Sequence, residues 1–178
     1  RNDIHERLVL DLLRLHWPEA AVSLSSQVQP VLREYTRASC TVLNVMLKPV
    51  VRAYLDELGQ TLREKGLDGK LLVVSSDGGV QPVEEILERP VYMLFSGPST
   101  GPSAARQFAN EEGIDDALLV DMGGTSFDVS TVIEGQVTMT RDGRINDFPT
   151  GISAVEILTM GAGGGSVARV DSGGLLTV

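Results

Sequence analysis

Asp121, Gly123, Gly124, Thr125 and Asp128 lie close together in the stretch Leu118–Ser130, LLVDMGGTSFDVS. Their types suit phosphate chemistry. Glycines carry no Cβ, so backbone N–H groups can approach an anion closely. The Thr125 hydroxyl can donate to a phosphate oxygen, and Ser126 follows it directly. Asp121 and Asp128 flank the turn and can hold Mg²⁺ through water, which suits a hard cation that gives up its water shell reluctantly. The same residues also read as a plain β-hairpin, with Gly-Gly supplying positive φ and Asp121 capping the turn. Spacing alone leaves both readings open.

The elements that position these residues follow from periodicity. The apolar run Ala117–Val120 predicts a strand ending at Asp121, and Phe127 to Ile133 alternates as a second strand. Glu134-Gly135 then turns, and Gln136 to Thr140 pairs back as a hairpin. Upstream, Ser96-Gly97-Pro98-Ser99-Thr100-Gly101 opens a helix running to about Asn110. Small residues on its first turns (Ser103, Ala104, Ala105) permit close approach to a neighbour. Lys70 to Ser75 reads as a buried parallel strand. It ends on Ser76-Asp77-Gly78-Gly79, at the strand end where open α/β sheets bind ligands. Asp77 reads as a substrate-cleft carboxylate or as a cap for the next segment, a short helix over Val83–Glu88. VYMLF, from Val91, is strand-like.

The remaining segments complete a mixed α/β order. Asn2 or Asp3 caps a first helix whose apolar face, Ile4, Leu8, Leu12, Leu13 and Leu15, ends before Pro18. Ala21 to Val28 predicts a short strand. Pro30 to Lys65 is helical, with a kink or break at Pro49 and Gly66 closing it. Ile152 to Met160 reads as strand or helix. Gly161 to Ser166 is a third Gly-rich turn, and Val167–Val170 and Leu175–Val178 form two short strands around Asp171–Gly174. The order implies a parallel core first and antiparallel hairpins later.

Composition bounds the function. The chain has 178 residues, 42% hydrophobic, with a net charge of −9 and no block of Lys or Arg. It can build a core, and nucleic acid and anionic membrane surfaces are poor partners for it. A single cysteine, Cys40, excludes an internal disulfide and a cysteine-based metal cluster, and it reads as buried filler. His5 and His16 fall in the first helix with no metal-ligand spacing. No signal peptide or membrane-length apolar run is present, so a cytoplasmic setting is the default. The chain begins without Met in helical sequence and stops in a strand pattern, and it is read as a piece of a longer protein.

Several ordered motifs now carry a resemblance. DMGGTSFDVS resembles the second phosphate turn of the actin-like ATPase superfamily. VSLSSQVQPVLREYTRASCTVLN (Val22–Asn44), VVSSDGG, FSGPSTGPSAA and MGAGGGSVARVDSGGLL are similar to signatures of the hydantoinase A/5-oxoprolinase family, which includes acetone carboxylase subunits. Ser99-Thr100 stands where that family usually has alanines. The resemblance covers nearly the whole chain. It implies an incomplete ribonuclease H-like, actin-like ATPase lobe, α/β, with a mixed sheet and flanking helices. Residues 1–178 would be one piece of the hydantoinase A domain, helix-rich with parallel strands over 1–115, and with the phosphate turn and hairpins over 116–178.

The resemblance also implies roles. Asp121 and Asp128 would be catalytic and would hold Mg²⁺ through water. Gly123, Gly124, Thr125 and Ser126 would cradle phosphate. Gly163, Gly164, Gly165 and Ser166 would line the nucleotide or substrate side of the cleft, with a wide β-turn as the alternative. Asp77, Gly78, Ser96 and Gly97 are weaker cleft candidates, and Glu34, Tyr35 and Arg37 read as ion pair and packing. A first phosphate turn would lie upstream and an adenosine site downstream. The implied parent is an ATP-dependent hydrolase that opens a cyclic amide such as a hydantoin or 5-oxoproline, with ATP and Mg²⁺ as cofactors and a hydantoinase B-type subunit as partner. By itself the piece would be inactive. The alternatives are a non-metabolic, chaperone-like ATPase switch and a structural lobe without catalysis.

Overall fold

The computed structural model describes residues 2–140, 143–145 and 147–178. In chain order the helices are α1 (Ile4–His16), α2 (Ser25–Val28), α3 (Glu34–Glu64), α4 (Val83–Glu88), a 3-10 turn (Pro90–Met93) and α5 (Ser96–Glu111). The early strands are β1 (Leu72–Val74), β2 (Val80–Pro82), β3 (Ala117–Met122), β4 (Phe127–Ile133), β5 (Gln136–Val137) and β6 (Met139–Thr140). The later ones are β7 (Arg144–Ile145), β8 (Phe148–Pro149), β9 (Ala154–Val155), β10 (Leu158–Met160), β11 (Arg169–Val170) and β12 (Leu176–Thr177). The fold is mixed α/β and divides into two compact units: Arg1–Ser96 with Thr140–Ala154, and Gly97–Met139 with Val155–Val178.

In the first unit, α1 starts where Asn2 Oδ1 accepts the Ile4 N–H at 3.1 Å. No residue of α1 is buried, and its apolar face remains largely exposed. A polar tie holds it instead. Glu6 accepts hydrogen bonds from the Ser25 hydroxyl, the Ser26 N–H (3.0 Å) and the Ser26 hydroxyl (2.6 Å), and it pairs with Arg37 at 2.6 Å. This tie also explains why the predicted strand over Ala21–Val28 does not form. An anion bound at Ser25 and Ser26 favours a helix N-terminus there, and α2 results. The core consists of Val28, Cys40, Val91 and Ile152, with Leu43, Leu47 and Tyr92 packed against them.

The long helix α3 runs 31 residues from Glu34 without ending at Pro49. Pro49 is exposed, so the carbonyl it leaves unpaired can turn to water. Gly66 takes φ +81° just beyond the helix, as the closing role requires. Asn44, fully buried, cross-links α3 to its neighbours. Its Nδ2 donates to Ser23 Oγ (3.0 Å) and the Glu88 carbonyl (3.1 Å), and its Oδ1 accepts the Val91 N–H at 3.3 Å.

Two further strand expectations fail in this unit. VYMLF forms the 3-10 turn Pro90–Met93, not a strand. Short apolar runs do not distinguish the two, and Asn44 takes the Val91 N–H that a ladder would use. The expected parallel strand is β1, which pairs antiparallel with β2 in the register Leu72↔Pro82. The connection 75–79 is too short for the crossover that a parallel pair needs. Leu72 is 48% exposed, so the strand is not buried either. Every strand pair whose register is described is antiparallel, and a parallel core is not seen among them.

In the second unit, β3 and β4 form a hairpin in register Ala117↔Val132 through Met122↔Phe127. β10 pairs with the other edge of β4 (Leu158↔Val129, Met160↔Phe127), and β5 returns on β4 around Glu134-Gly135, where φ is +50° and +70°. This settles Ile152–Met160 as two short strands. α5 runs close to β3: a Cβ added at Gly101 would lie 2.7 Å from Leu119 Cδ2. Ser99 and Pro102 are buried beside it, while Ala104 is exposed. The helix therefore approaches β3 at Gly101, and Ser103 and Ala105 beyond it are half-buried. β11 and β12 pair around Asp171, whose Oδ1 accepts the N–H groups of Gly173 (2.8 Å) and Leu175 (2.9 Å).

Candidate functional site

The antiparallel register places Asp121 directly opposite Asp128. Direct partners project to the same side of a sheet, and residues two apart on a strand share that side. Leu119, Asp121, Asp128 and Ser130 therefore line one face. They share a cavity of about 90 Å³ with Gly97, Pro98, Thr100 and Gly101 at the start of α5, and with Ile157. Thr100 Oγ1 is held by the Gly97 carbonyl at 3.0 Å. Asp128 Oδ1 is buried and has no hydrogen-bond partner; it alone has this status among the described side chains.

A buried carboxylate oxygen without a partner is costly, and a second carboxylate across the ladder adds like-charge repulsion. A hydrated cation relieves both. Among the described residues no group of three or more His, Cys, Asp or Glu side chains is placed to hold a metal. Two carboxylates are too few to replace a full coordination shell, and Mg²⁺ commonly binds proteins through one or two carboxylates while keeping most of its waters. The donor set fits that ion.

The turn joining the strands is closed by the Gly123 N–H donating to the Ser126 carbonyl at 3.0 Å. Gly123, Gly124 and Thr125 are exposed, and neither glycine takes positive φ. The glycines are therefore not required by backbone handedness. The N–H groups of Gly124, Thr125 and Ser126 have no partner among the described hydrogen bonds. Successive donors without a described partner, beside two carboxylates, can bind an anion that arrives with its cation.

The third Gly-rich loop, over forty residues away in sequence, packs directly on this turn. Gly164 N–H donates to the Gly123 carbonyl at 2.9 Å and Gly165 N–H to the Gly124 carbonyl at 3.0 Å. Ser166 closes the loop on itself: its N–H donates to the Gly163 carbonyl (2.9 Å), and its Oγ accepts the Gly163 N–H (3.1 Å). The backbone donors of Gly163, Gly164, Gly165 and Ser166 are thus all engaged within the protein. The same bonds give the loop a definite form, a turn braced against a turn.

The other candidates are placed differently. Gly97 lines the cavity, and Ser96 begins α5. Asp77 and Gly78 belong to the first unit. There Asp77 Oδ1 accepts from Ser75 Oγ (2.5 Å) and the Gly79 N–H (3.0 Å), with Gly78 at φ +79°. Ser76 Oγ donates to the Tyr92 carbonyl at 2.7 Å and accepts the Phe95 N–H at 3.2 Å. This is a self-satisfied turn. It does not cap the next helix, since α4 has no side-chain cap bond. Arg37 makes its ion pair with Glu6, while Tyr35 is 65% exposed and packs little. His5 and His16 are exposed.

Sequence reading missed Pro98, Thr100, Gly101, Leu119, Ser130 and Ile157 as cavity residues. Ser130 was within reach of it: two positions past Asp128 on a strand is the same face. Thr100 and Leu119 depend on where α5 crosses β3, which no local pattern encodes.

Residues 37–178 match the family described as hydantoinase/oxoprolinase. The chain is 36% identical over 178 residues to the caprolactamase subunit alpha of Pseudomonas jessenii, spanning 100% of this chain and 26% of that one. It is 29% identical over 170 residues to the 5-oxoprolinase of Saccharomyces cerevisiae, spanning 95% of this chain and 13% of that one. Among solved structures, the ATP-dependent caprolactamase from Pseudomonas jessenii superposes with a TM-score of 0.85 at 35% identity, covering 97% of this chain and 25% of that one. A nucleotide-free acetone carboxylase superposes with a TM-score of 0.76 at 25% identity, covering 99% and 25%. The chain thus spans about a quarter or less of the length of these relatives. With the family model matching most of the chain and the backbone superposing on these relatives, the chain belongs to the hydantoinase/oxoprolinase family.

Proposed function

We propose that this chain supplies one wall of the nucleotide site of an ATP-dependent enzyme that opens a cyclic amide, such as a hydantoin, 5-oxoproline or a related lactam. The observation that carries the reading is Asp128 Oδ1, buried without a partner, opposite Asp121 and beside a turn whose N–H groups from Gly124 to Ser126 make none of the described hydrogen bonds. In this reading Asp121 and Asp128 hold hydrated Mg²⁺, and the N–H groups of Gly124, Thr125 and Ser126, with the Thr125 hydroxyl, hold phosphate. When bound, MgATP supplies the phosphoryl group that activates the ring carbonyl oxygen. The chain's own contribution is position and charge: two carboxylates set by strand register and donors set by a braced turn.

The reading is supported by relatives named as an ATP-dependent caprolactamase and a 5-oxoprolinase. It assigns the chain to an actin-like ATPase lobe. Relatives named as alpha, beta and gamma subunits favour a partner subunit, for which a hydantoinase B-type chain is the proposal.

Calorimetric titration of MgATP into the protein as encoded, with Asp121→Asn alongside, tests this reading. Binding that the variant abolishes supports it, and absence of binding by the unaltered protein overturns it. A lactam-stimulated ATPase activity then separates ring opening from a chaperone-like switch, which would ignore small cyclic amides.

A further inference from the structure

We infer that the loop Gly163–Ser166 is a positioning element that aims the donors of the phosphate turn and does not itself contact the nucleotide. The inference rests on the phosphate-turn reading above and assigns Gly163 a role that the turn's own residues cannot fill.

In a trans peptide the C=O and the following N–H point in opposite directions from one rigid plane, and no cis peptide bond occurs among the described residues. Gly164 N–H holds the Gly123 carbonyl, and Gly165 N–H holds the Gly124 carbonyl. Those bonds fix the orientation of two successive peptide planes. The N–H of Gly124 is therefore directed away from the loop, and so is the N–H of Thr125. Without the brace each glycine-flanked plane could rotate and present a carbonyl, which repels phosphate. With it, successive donors face the same way before any ligand arrives. This is preorganisation, in which orientation is set during folding and not during binding.

Gly163 is what lets the brace close. It is buried, and a Cβ built on it would lie 2.7 Å from the Gly123 carbonyl oxygen, 2.7 Å from Thr125 N and 2.8 Å from Gly124 C. All three atoms are backbone of the turn, so no side chain can move aside. Gly164 is different: the nearest atom to its added Cβ is the Gly123 oxygen at 3.5 Å, an ordinary contact. Gly165 is intermediate, at 3.0 Å from the Gly124 oxygen. The three glycines therefore differ in tolerance, in the order Gly164, Gly165, Gly163.

Two measurements test the proposal. In the unaltered protein, MgADP followed by amide NMR should shift the Gly124 and Thr125 resonances most and leave those of Gly164 and Gly165 nearly in place. Larger shifts at Gly164 and Gly165 would mean that the loop touches the nucleotide, and would overturn the positioning role. In variants, Gly163→Ala should weaken MgADP binding on the order of tenfold or more and speed amide exchange at Gly164 and Gly165. Gly165→Ala, which crowds a single oxygen, keeps the series informative if Gly163→Ala fails to fold, and its binding should fall between those of the unaltered protein and Asp121→Asn. Unchanged binding in both Gly163→Ala and Gly165→Ala, with Asp121→Asn inactive in binding, overturns the brace and leaves the phosphate turn standing. No binding by the unaltered protein overturns both.

Discussion

Asp128 and Asp121 are direct partners across the β3–β4 ladder, and one oxygen of Asp128 is buried with no protein group to receive it. Strand pairing selects against like charges in that relation. The arrangement is therefore a stability cost retained at one site, and it predicts a trade between stability and ligand binding.

Asp128→Asn should stabilise the ligand-free protein by about 0.5–1 kcal/mol, because it removes one of two facing charges. The same change should weaken Mg²⁺-dependent nucleotide binding. Thermal unfolding without nucleotide and calorimetry with MgATP check the two halves. A variant that is less stable yet binds normally would show that Asp128 is structural.

Asn44 is fully buried and holds Ser23, Glu88 and Val91 to the middle of α3. Asn44→Ala leaves the Val91 N–H and the Glu88 carbonyl without their partner, at a cost of about 2–4 kcal/mol in unfolding free energy. Asn44→Asp should be no better, since it presents an acceptor to the Glu88 carbonyl. Denaturant titration of both variants measures this.

Burial acts to raise the Glu6 carboxyl, but hydrogen bonds from Ser25 and Ser26, with Arg37, outweigh it and hold it at about 2 against the ordinary 4.5. A depressed folded value stabilises the protein above the unfolded value, and that contribution fades as pH falls from about 4.5 toward about 2. The two side chains of the ion pair remain 29% and 27% exposed, so after solvent screening the contribution at neutral pH is about 1–2 kcal/mol. Glu6→Gln should lose that amount at pH 7 and match the unaltered protein near pH 2. Parallel pH–stability curves test it, and curves with a constant offset would reject it.

Burial pushes the Cys40 thiol up to about 11. At pH 8 the native protein should therefore react with a disulfide reagent far more slowly than the unfolded chain, since the thiolate is the nucleophile. Reaction at the rate of an exposed thiol would contradict the placement of Cys40 in the core.

The features legible from residue order are short-range. An apolar run before Asp121 and alternation from Phe127 set the β3–β4 pairing, and a short Gly-containing turn sets its register. The facing of Asp121 and Asp128 follows from that register together with period two. The helix starts near Asn2 and Ser96 and the closing Gly66 were equally legible, because caps and glycines act within a few residues. Tertiary structure decided the rest. Ala21–Val28 became a helical turn because Glu6, distant in sequence, placed its carboxylate at Ser25 and Ser26. VYMLF gave up a strand because Asn44 took the Val91 N–H. The brace of Gly164 and Gly165 on the Gly123 and Gly124 carbonyls joins two loops far apart in sequence that lie at the same end of the β4–β10 pair. Hydrogen bonds between segments far apart in sequence have no local signature, and here they aim the donors that the local pattern supplies.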